Sequence, residues 1–284
     1  MKLSAIIITY FPDLNDLKLN INSIINDVDK LIIWQNTPDL KLDNEITFIN
    51  ETEKVIFLSK GVNIGIASAL NEGIKWSLEN GYTHLLTLDQ DSYFDEGVLK
   101  NYKELINRKL IDAGIFGINP NNWGQLLYKQ KELFIEVSDA ITSGSIFPLE
   151  IFITCGLFED ELFIDAVDYE FCFRIKSLNN LSTVVFPSII MNHKVGEKVK
   201  ICFGLYTNNY SSFRTYYIIR NHLIIWKRYP RLFPNHYKYV LIKSHIILRI
   251  FKVIIAEKNK IKKIKAILIG IIHGLSNKKG FYKF

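Results

Sequence analysis

The chain has 284 residues, 48% of them hydrophobic and 13% aromatic, with 15 Gly and 7 Pro. This excludes a disordered chain, a collagen-like fibre and a linker, and it suffices for one large domain with an appendage or for two small ones. The net charge of +6 conceals an asymmetry: residues 1–226 carry 20 Lys and Arg against 28 Asp and Glu, a balance of −8, and residues 227–284 carry 15 against Glu257 alone, a balance of +14.

The N-terminal run MKLSAIIITYFPD has one Lys before a short apolar stretch, too short for a signal peptide, and Leu3–Thr9 reads as a buried strand. Apolar residues at Leu14, Leu17, Ile21, Ile24, Ile25 and Val28 follow helical spacing. Leu31–Trp34, Ile46–Ile49 and Val55–Leu58 read as strands. Asn63 can cap a helix whose apolar positions Ile66, Leu70, Ile74 and Leu78 recur every fourth residue, and Gly81 ends it. His84–Leu88 is the next strand, Asp95 is expected to begin a helix, and Ala113–Ile118 is strand again. Strands alternating with helices predict an α/β fold with a mixed, mostly parallel sheet covered on both faces. Ligands in such sheets gather at the C-terminal strand ends, where Thr9, Asn36 and Asp89 sit. Further on, Val167–Leu178 reads as a helix and Ser188–Met191 as a strand. After about residue 204 the pattern turns to helices: Tyr206–Tyr229, His236–Ala256 and Ile261–Leu275, broken at Pro230 and Pro234. This places a catalytic domain in residues 1–204 and a helical region in 205–284.

Three Cys, Cys155, Cys172 and Cys202, are scattered and form no C-x-x-C pair, so a structural zinc site or a disulfide scaffold is not expected and a reducing compartment is. No run reaches roughly 18 apolar residues free of charge, so no spanning helix is expected. Asp89-Gln90-Asp91 closes the strand HLLTL. Two carboxylates one residue apart at a strand end can converge on Mg²⁺ or Mn²⁺, which would also grip a diphosphate. The plain alternative is a solvated turn. Upstream, Asn63–Asn71 begins a helix with small residues, a place suited to anion contacts.

The run KGVNIGIASALNEGIKWSLENGYTHLLTLDQDSYFD resembles inverting family 2 glycosyltransferases, and specifically their bacterial rhamnosyltransferase branch. ITSGSIFPLEIFITCGLFEDELFIDAVDYEFCFRI is similar to the acceptor-side segment of that branch. MNHKVGE followed by TYYIIRNHLIIW is similar to its diphosphate-binding region. The three blocks keep the family's order and lie within residues 3–228. The resemblance implies a nucleotide-diphospho-sugar-binding fold of the GT-A type. It places Thr9, Tyr10, Asn36, Asn63, Gly65, Asp89, Arg220 and Asn221 at the donor, with Asn36 toward the base and Arg220 and Asn221 toward the diphosphate. It makes Asp91 and His193 metal contacts, puts Ser143, Gly144 and Asp165 on the acceptor side, and makes Asp168 the catalytic base. Two positions depart from the pattern. Gln35-Asn36-Thr37 stands where relatives carry an acid, and Phe158-Glu159-Asp160 stands where they often read Phe-Asp-Glu.

Asp165, Asp168 and Glu170 crowd the start of a helix, where acids also serve the helix dipole. An inverting transfer needs one carboxylate to take the acceptor proton while the sugar is attacked from the face opposite the leaving group. His193 could equally be a structural hydrogen-bonder, and Arg220 a structural ion pair. In the tail, Lys238, His245, Arg249, Lys252, Asn259 and Lys263 fall on one helical stripe, with Ile, Leu, Val and Phe filling much of the rest. That pattern predicts a basic amphipathic helix on an anionic membrane surface; the alternative is a helix packed on the domain. No nucleic-acid motif accompanies the charge. The expected activity is transfer of L-rhamnose from a dTDP-sugar donor to a lipid-linked saccharide acceptor at the cytoplasmic face of the plasma membrane. The rivals are transfer of another sugar, galactofuranose or glucose, and an inert nucleotide-sugar-binding protein.

Overall fold

The computed structural model describes residues 1–38, 52–122, 124–193, 199–200 and 206–283; the strand expected at Ile46–Ile49 lies outside them. They divide into two compact units, residues 1–158 with 174–195 and residues 159–173 with 196–284. The sequence boundary at 204 gives residues 159–173 to the first domain, whereas their contacts assign them to the second unit. Hydrogen bonds from distant residues hold this segment, and those partners have no local signature.

In the first unit, β1 (Leu3–Thr9), β2 (Lys30–Gln35), β3 (Val55–Ser59) and β4 (His84–Asp89) pair in parallel in the order β3-β2-β1-β4. The sheet continues through β9 (Ile146–Pro148), antiparallel to both neighbours, to β6 (Ala113–Asn122), β10 (Ser182–His193) and β5 (Ser92–Phe94). Short strands β7 (Gln125–Leu126) and β8 (Ile135–Val137) pair with β6 and β10. β10 runs parallel to β6 and antiparallel to β5. Leu3, Ala5 and Ile7 alternate onto one face of β1 and join Leu17, Ile21 and Ile24 of α1 (Leu14–Ile24) in one core. On the other face α2 (Gly65–Glu79) presents Gly73, where a Cβ would lie 2.4 Å from Ile6 Cδ1. Any side chain at this position would force Ile6 Cδ1 to move.

Two helix starts differ from expectation. Asn63 does not cap α2; its Oδ1 takes the Gly65 N–H at 2.9 Å, inside the preceding turn. Asp95 does not begin a helix, because the chain first spends Ser92–Phe94 in β5. Its carboxylate accepts from Asn192 Nδ2 at 3.0 Å, and α3 (Val98–Asn107) starts after Gly97. α4 (Glu150–Cys155) and α5 (Val167–Asn179) follow. Among the described residues Cys155 and Cys172 are buried and form no disulfide.

The second unit is mainly helical. β11 (Val199–Lys200) and β12 (Tyr206–Thr207) form a two-stranded ribbon. Ser211 caps α6 (Ser212–Arg228) by accepting from Arg214 N–H at 3.1 Å. The helix expected at 236–256 is α7 (Asn235–Val240), a π-helical stretch (Leu241–Ile247) and α8 (Leu248–Ala256), and α9 (Lys260–Leu275) completes the unit. α9 lies directly on α6: a Cβ on Gly274 would stand 2.7 Å from Leu223 Cβ, and Ile219, Leu223, Leu241 and Ile267 share one core.

The predicted basic stripe of the tail is overturned. Glu257, the only acid of residues 227–284, is buried and binds Arg249, Lys263 Nζ at 2.7 Å and Thr207 Oγ1 at 2.5 Å. Arg249 and Lys263 are themselves buried, and burial lowers the His245 pKa. A buried carboxylate needs cationic partners, so these two basic residues turn inward instead of facing solvent. Asn259, in the left-handed region at φ 58°, ends any continuous helix. No helix among the described residues is long and apolar enough to cross a membrane.

Candidate functional site

The C-terminal ends of β1, β2 and β4 carry Thr9, Tyr10, Asn36 and Asp89, residues expected at the donor from the sequence. At the end of β1, Thr9 is fully buried and donates to Trp34 O at 3.0 Å. Tyr10 is half exposed, and its backbone exchanges hydrogen bonds with the Gln90 side chain at 2.7 and 3.3 Å. Phe11, at φ 46°, is more exposed still and meets Tyr10 edge to face at 4.7 Å between ring centres. The two rings form an exposed aromatic pair at the strand end.

Asn36 does not present its side chain to a ligand. It is buried, accepts from Trp34 Nε1 at 3.0 Å and Ile64 N–H at 3.3 Å, and donates to Gly65 O at 3.1 Å. It therefore shapes the turn at Asn63 and Gly65, where α2 begins with Gly65 at φ 85°.

Asp89, Asp91 and His193 come together. Ser92 pairs with His193 across the antiparallel β5–β10 ladder, so Asp91, one residue earlier, lies beside the end of β10. One ligand atom from each of Asp89, Asp91 and His193 lies within 4.8 Å of the others. His193 Nε2 is 3.7 Å from Asp89 Oδ2. The Asp89 side chain is about half exposed, 46%, so the group is open on one side. Hydrogen bonding to Asp89 and the charge of both carboxylates raise the His193 pKa against burial. Burial and the Asp89 charge push the Asp91 carboxyl up. A divalent cation would relieve the crowding of these two carboxylates. Two carboxylate oxygens and an imidazole nitrogen are a donor set that such an ion accepts.

Ser143 and Gly144, expected on the acceptor side, are buried behind this group. Ser143 Oγ accepts the Asp89 N–H at 2.9 Å and donates to Ser92 Oγ at 3.2 Å, and Gly144 N–H binds Thr87 O at 2.7 Å. They hold the strand end that carries Asp89. Gln90, between the two carboxylates, and Phe11 were not singled out from the sequence. The central position of the Asp-x-Asp motif was the signal for Gln90.

In the second unit, Asp168 lies in the first turn of α5, partly exposed, and its Oδ1 accepts the Tyr169 N–H at 2.9 Å. Asp165 precedes the helix at φ 63° and pairs with Arg214 at 3.2 Å, and burial raises its pKa. Glu170 is not a dipole-serving surface acid: it is buried, 3.0 Å from Arg228 and 3.1 Å from Tyr229 Oη. Arg220 and Asn221 are fully buried; Arg220 Nε donates to Asn221 Oδ1, and the other donors face the carbonyls of Glu161, Leu162, Ile164, Asp165 and Gly280. The diphosphate contact expected of them is therefore corrected to a contact with the chain itself.

No protein-family model matches the chain. It is 30% identical over 295 aligned residues to the dTDP-rhamnosyl transferase RfbF of Shigella flexneri, covering 95% of this chain and 94% of that protein. Among solved structures, S. aureus TarS 1–349 in complex with UDP-GlcNAc superposes with a TM-score of 0.61 at 13% identity, covering 96% of this chain and 81% of that one. GalNAc-T7 with UDP, GalNAc and Mn²⁺ gives 0.59 at 14% identity, covering 86% of this chain and 54% of that one, so the chain spans about half its length. These two structures establish the fold, the mixed and mostly parallel GT-A sheet.

Proposed function

The chain belongs to the glycosyltransferase family of the dTDP-rhamnosyl transferase RfbF, and from that membership we propose that it transfers L-rhamnose, with inversion, from dTDP-rhamnose to a lipid-linked saccharide of a surface glycan such as an O-antigen. The observation that carries the sugar is identity to a dTDP-rhamnosyl transferase across nearly the whole chain. The group Asp89, Asp91 and His193 at the C-terminal strand ends supports the nucleotide-diphosphate side of the reading. Asp89, Asp91 and His193 would hold Mn²⁺ or Mg²⁺, and the imidazole weighs toward Mn²⁺, since Mg²⁺ prefers an all-oxygen shell. When bound, such an ion neutralises diphosphate charge.

The remaining chemistry falls to the chain's own residues. Tyr10 and Phe11 offer a stacking surface to the base, and the Asn63–Gly65 turn at the start of α2 lines the ribose and diphosphate. Asp168 takes the proton of the acceptor hydroxyl. The hydroxyl oxygen bonds to the anomeric carbon as the bond to the departing dTDP breaks on the opposite face, which inverts the centre. No second acid is required, because the diphosphate leaves as a stabilised anion.

A donor screen tests this. dTDP-rhamnose, UDP-galactofuranose and UDP-glucose are each incubated with enzyme, Mn²⁺ and bacterial membranes containing lipid-linked saccharides, and nucleotide release is read. Selective turnover of dTDP-rhamnose is expected. Selective turnover of either UDP-sugar would replace the rhamnose assignment, and release from none would favour an inert binding protein.

With a lipid-linked acceptor, the reading extends to a peripheral enzyme at the cytoplasmic face of the plasma membrane. The support comes from the end of the π-helical stretch, α8 and α9, though not from the stripe expected of them. Ile247, Phe251, Ile254 and Ile255 are exposed at spacings of four, seven and eight from the first, and Ile261, Leu268 and Ile272 are exposed along α9. Lys258, Lys260, Lys262 and Lys265 lie exposed among them. Each Lys near an anionic leaflet contributes about 1 kcal/mol that salt weakens, and the apolar stripe adds burial that salt does not screen. The protein is therefore expected to co-sediment with anionic vesicles, less with neutral ones, and to be partly released by salt. The double variant Phe251→Glu with Ile254→Glu should stay in the supernatant while still binding dTDP. Substitution is preferable to truncation, because α9 is part of the packing around α6. A full-length protein that ignores anionic vesicles at low salt would overturn the membrane reading.

A further inference from the structure

Residues 161–166, just before α5, hold an unusual backbone. Phe163, Asp165 and Ala166 have φ of 65°, 63° and 63°, and none is glycine. Phe163 also has ψ −63°, and Ile164 N–H binds Leu162 O at 2.8 Å across it, which makes a γ-turn of the rare, strained kind. Backbone of this sort persists only where surrounding groups over-determine it, and it clusters at functional sites.

The groups that impose it are Arg220 and Asn221. Arg220 Nη2 donates to Glu161 O at 2.9 Å and Leu162 O at 3.2 Å, and Nη1 to Gly280 O at 2.5 Å. Its Nε donates to Asn221 Oδ1 at 2.8 Å, which orients the amide. Asn221 Nδ2 then faces Leu162 O, Ile164 O and Asp165 O at 2.9, 2.8 and 2.9 Å. Both side chains are fully buried on α6. The C-terminal segment closes the arrangement: Gly280 N–H binds Glu161 O at 3.0 Å, and the Phe281 ring lies 5.2 Å from that of Phe163. A buried guanidinium is costly to keep unless its donors are met, here by these carbonyls and the Asn221 amide, with the Tyr217 ring 4.6 Å away.

We infer that Arg220 and Asn221, with Gly280 and Phe281 as a strap, are positioning residues that hold the strained 161–166 loop so that α5 presents Asp168 to the acceptor hydroxyl. This rests on Asp168 being the base. Both side chains are fully buried, with their donors on the chain itself.

The test separates chemistry from donor binding. Asn221→Ala, Phe281→Ala, Asp168→Asn and the double variant Asn221→Ala with Asp168→Asn are assayed for kcat with dTDP-rhamnose and acceptor-bearing membranes, and for dTDP affinity by calorimetry. Displacing a catalytic group by about 1 Å costs roughly 10²-fold. Asn221→Ala is therefore expected to lower kcat by about that factor with dTDP affinity unchanged, and to add nothing once Asp168 is already Asn. Phe281 is largely exposed, so Phe281→Ala leaves the fold intact and should show the same split at smaller size. It carries the test if Asn221→Ala does not fold. Loss of dTDP affinity with kcat kept would overturn the inference and return the pair to the diphosphate. Independent, multiplying losses in the double variant would overturn it too, as would unchanged kcat in both single variants. If Asp168→Asn alone retains kcat, the base assignment fails. If Asp168→Asn loses kcat and the clamp variants do not, only the positioning role fails.

Discussion

Asp168→Asn is expected to slow sugar transfer by roughly 10²–10⁴-fold with dTDP-rhamnose affinity almost unchanged. The substitution keeps size and the acceptor oxygen that meets the Tyr169 N–H at 2.9 Å, so the start of α5 survives, while the group that takes the hydroxyl proton is gone. Single-turnover transfer and calorimetry on the same preparation read the two quantities separately. The neighbouring acids discriminate chemistry from architecture. Glu170 is buried against Arg228 and Tyr229, so Glu170→Gln should lower the melting temperature and change kcat far less. Asp165 pairs with Arg214 ahead of the helix, and Asp165→Asn should likewise change kcat far less than Asp168→Asn. Transfer by the Asp168→Asn variant at a rate close to the unaltered enzyme would make Asp168 a structural acid.

The second large effect concerns the cation group. Changing a residue that merely supports a metal ligand typically costs 10–100-fold in metal affinity, so Asp91→Asn, which removes a ligand, should cost at least about 10²-fold in Mn²⁺-dependent donor binding. The Asp91 carboxyl is already held against burial and the Asp89 charge, so the ion has repulsion to relieve there. Ser143→Ala removes only the hydroxyl that anchors the Asp89 N–H, and should fall about 10-fold. Calorimetry with dTDP-rhamnose, run with Mn²⁺ and with EDTA, ranks these variants. Full donor affinity and full activity in EDTA would remove the metal from the account.

Much of the catalytic architecture is legible in the chain, and the reason is local. The alternation of Ile-rich runs with helical spacing comes from periods of two and 3.6 that any buried face imposes, so β1, β2, β4, α1 and α2 lie where the pattern puts them. Asp89 and Asp91 end a strand because the apolar run HLLTL stops there. The charge imbalance of the last segment is likewise written in the composition.

Side-chain direction is not local. Asn36 looks like a ligand-facing residue at a strand end, yet Trp34, Ile64 and Gly65 claim its polar atoms. The sequence leaves His193 open between ligand and structural residue, and the antiparallel register of β5 against β10 sets it beside Asp91. Arg220 carries the donors of a phosphate binder, but the Glu161, Leu162 and Gly280 carbonyls and the Asn221 amide oxygen take them, and no periodicity announces those partners. The tail gives the same lesson in charge. Helical spacing predicts a stripe through Arg249 and Lys263 and says nothing of which stripe faces inward. Tertiary structure settled that choice, because the buried Glu257 carboxylate cannot stay charged without cationic partners, and the apolar stripe through Phe251 and Ile254 was left outside in their place.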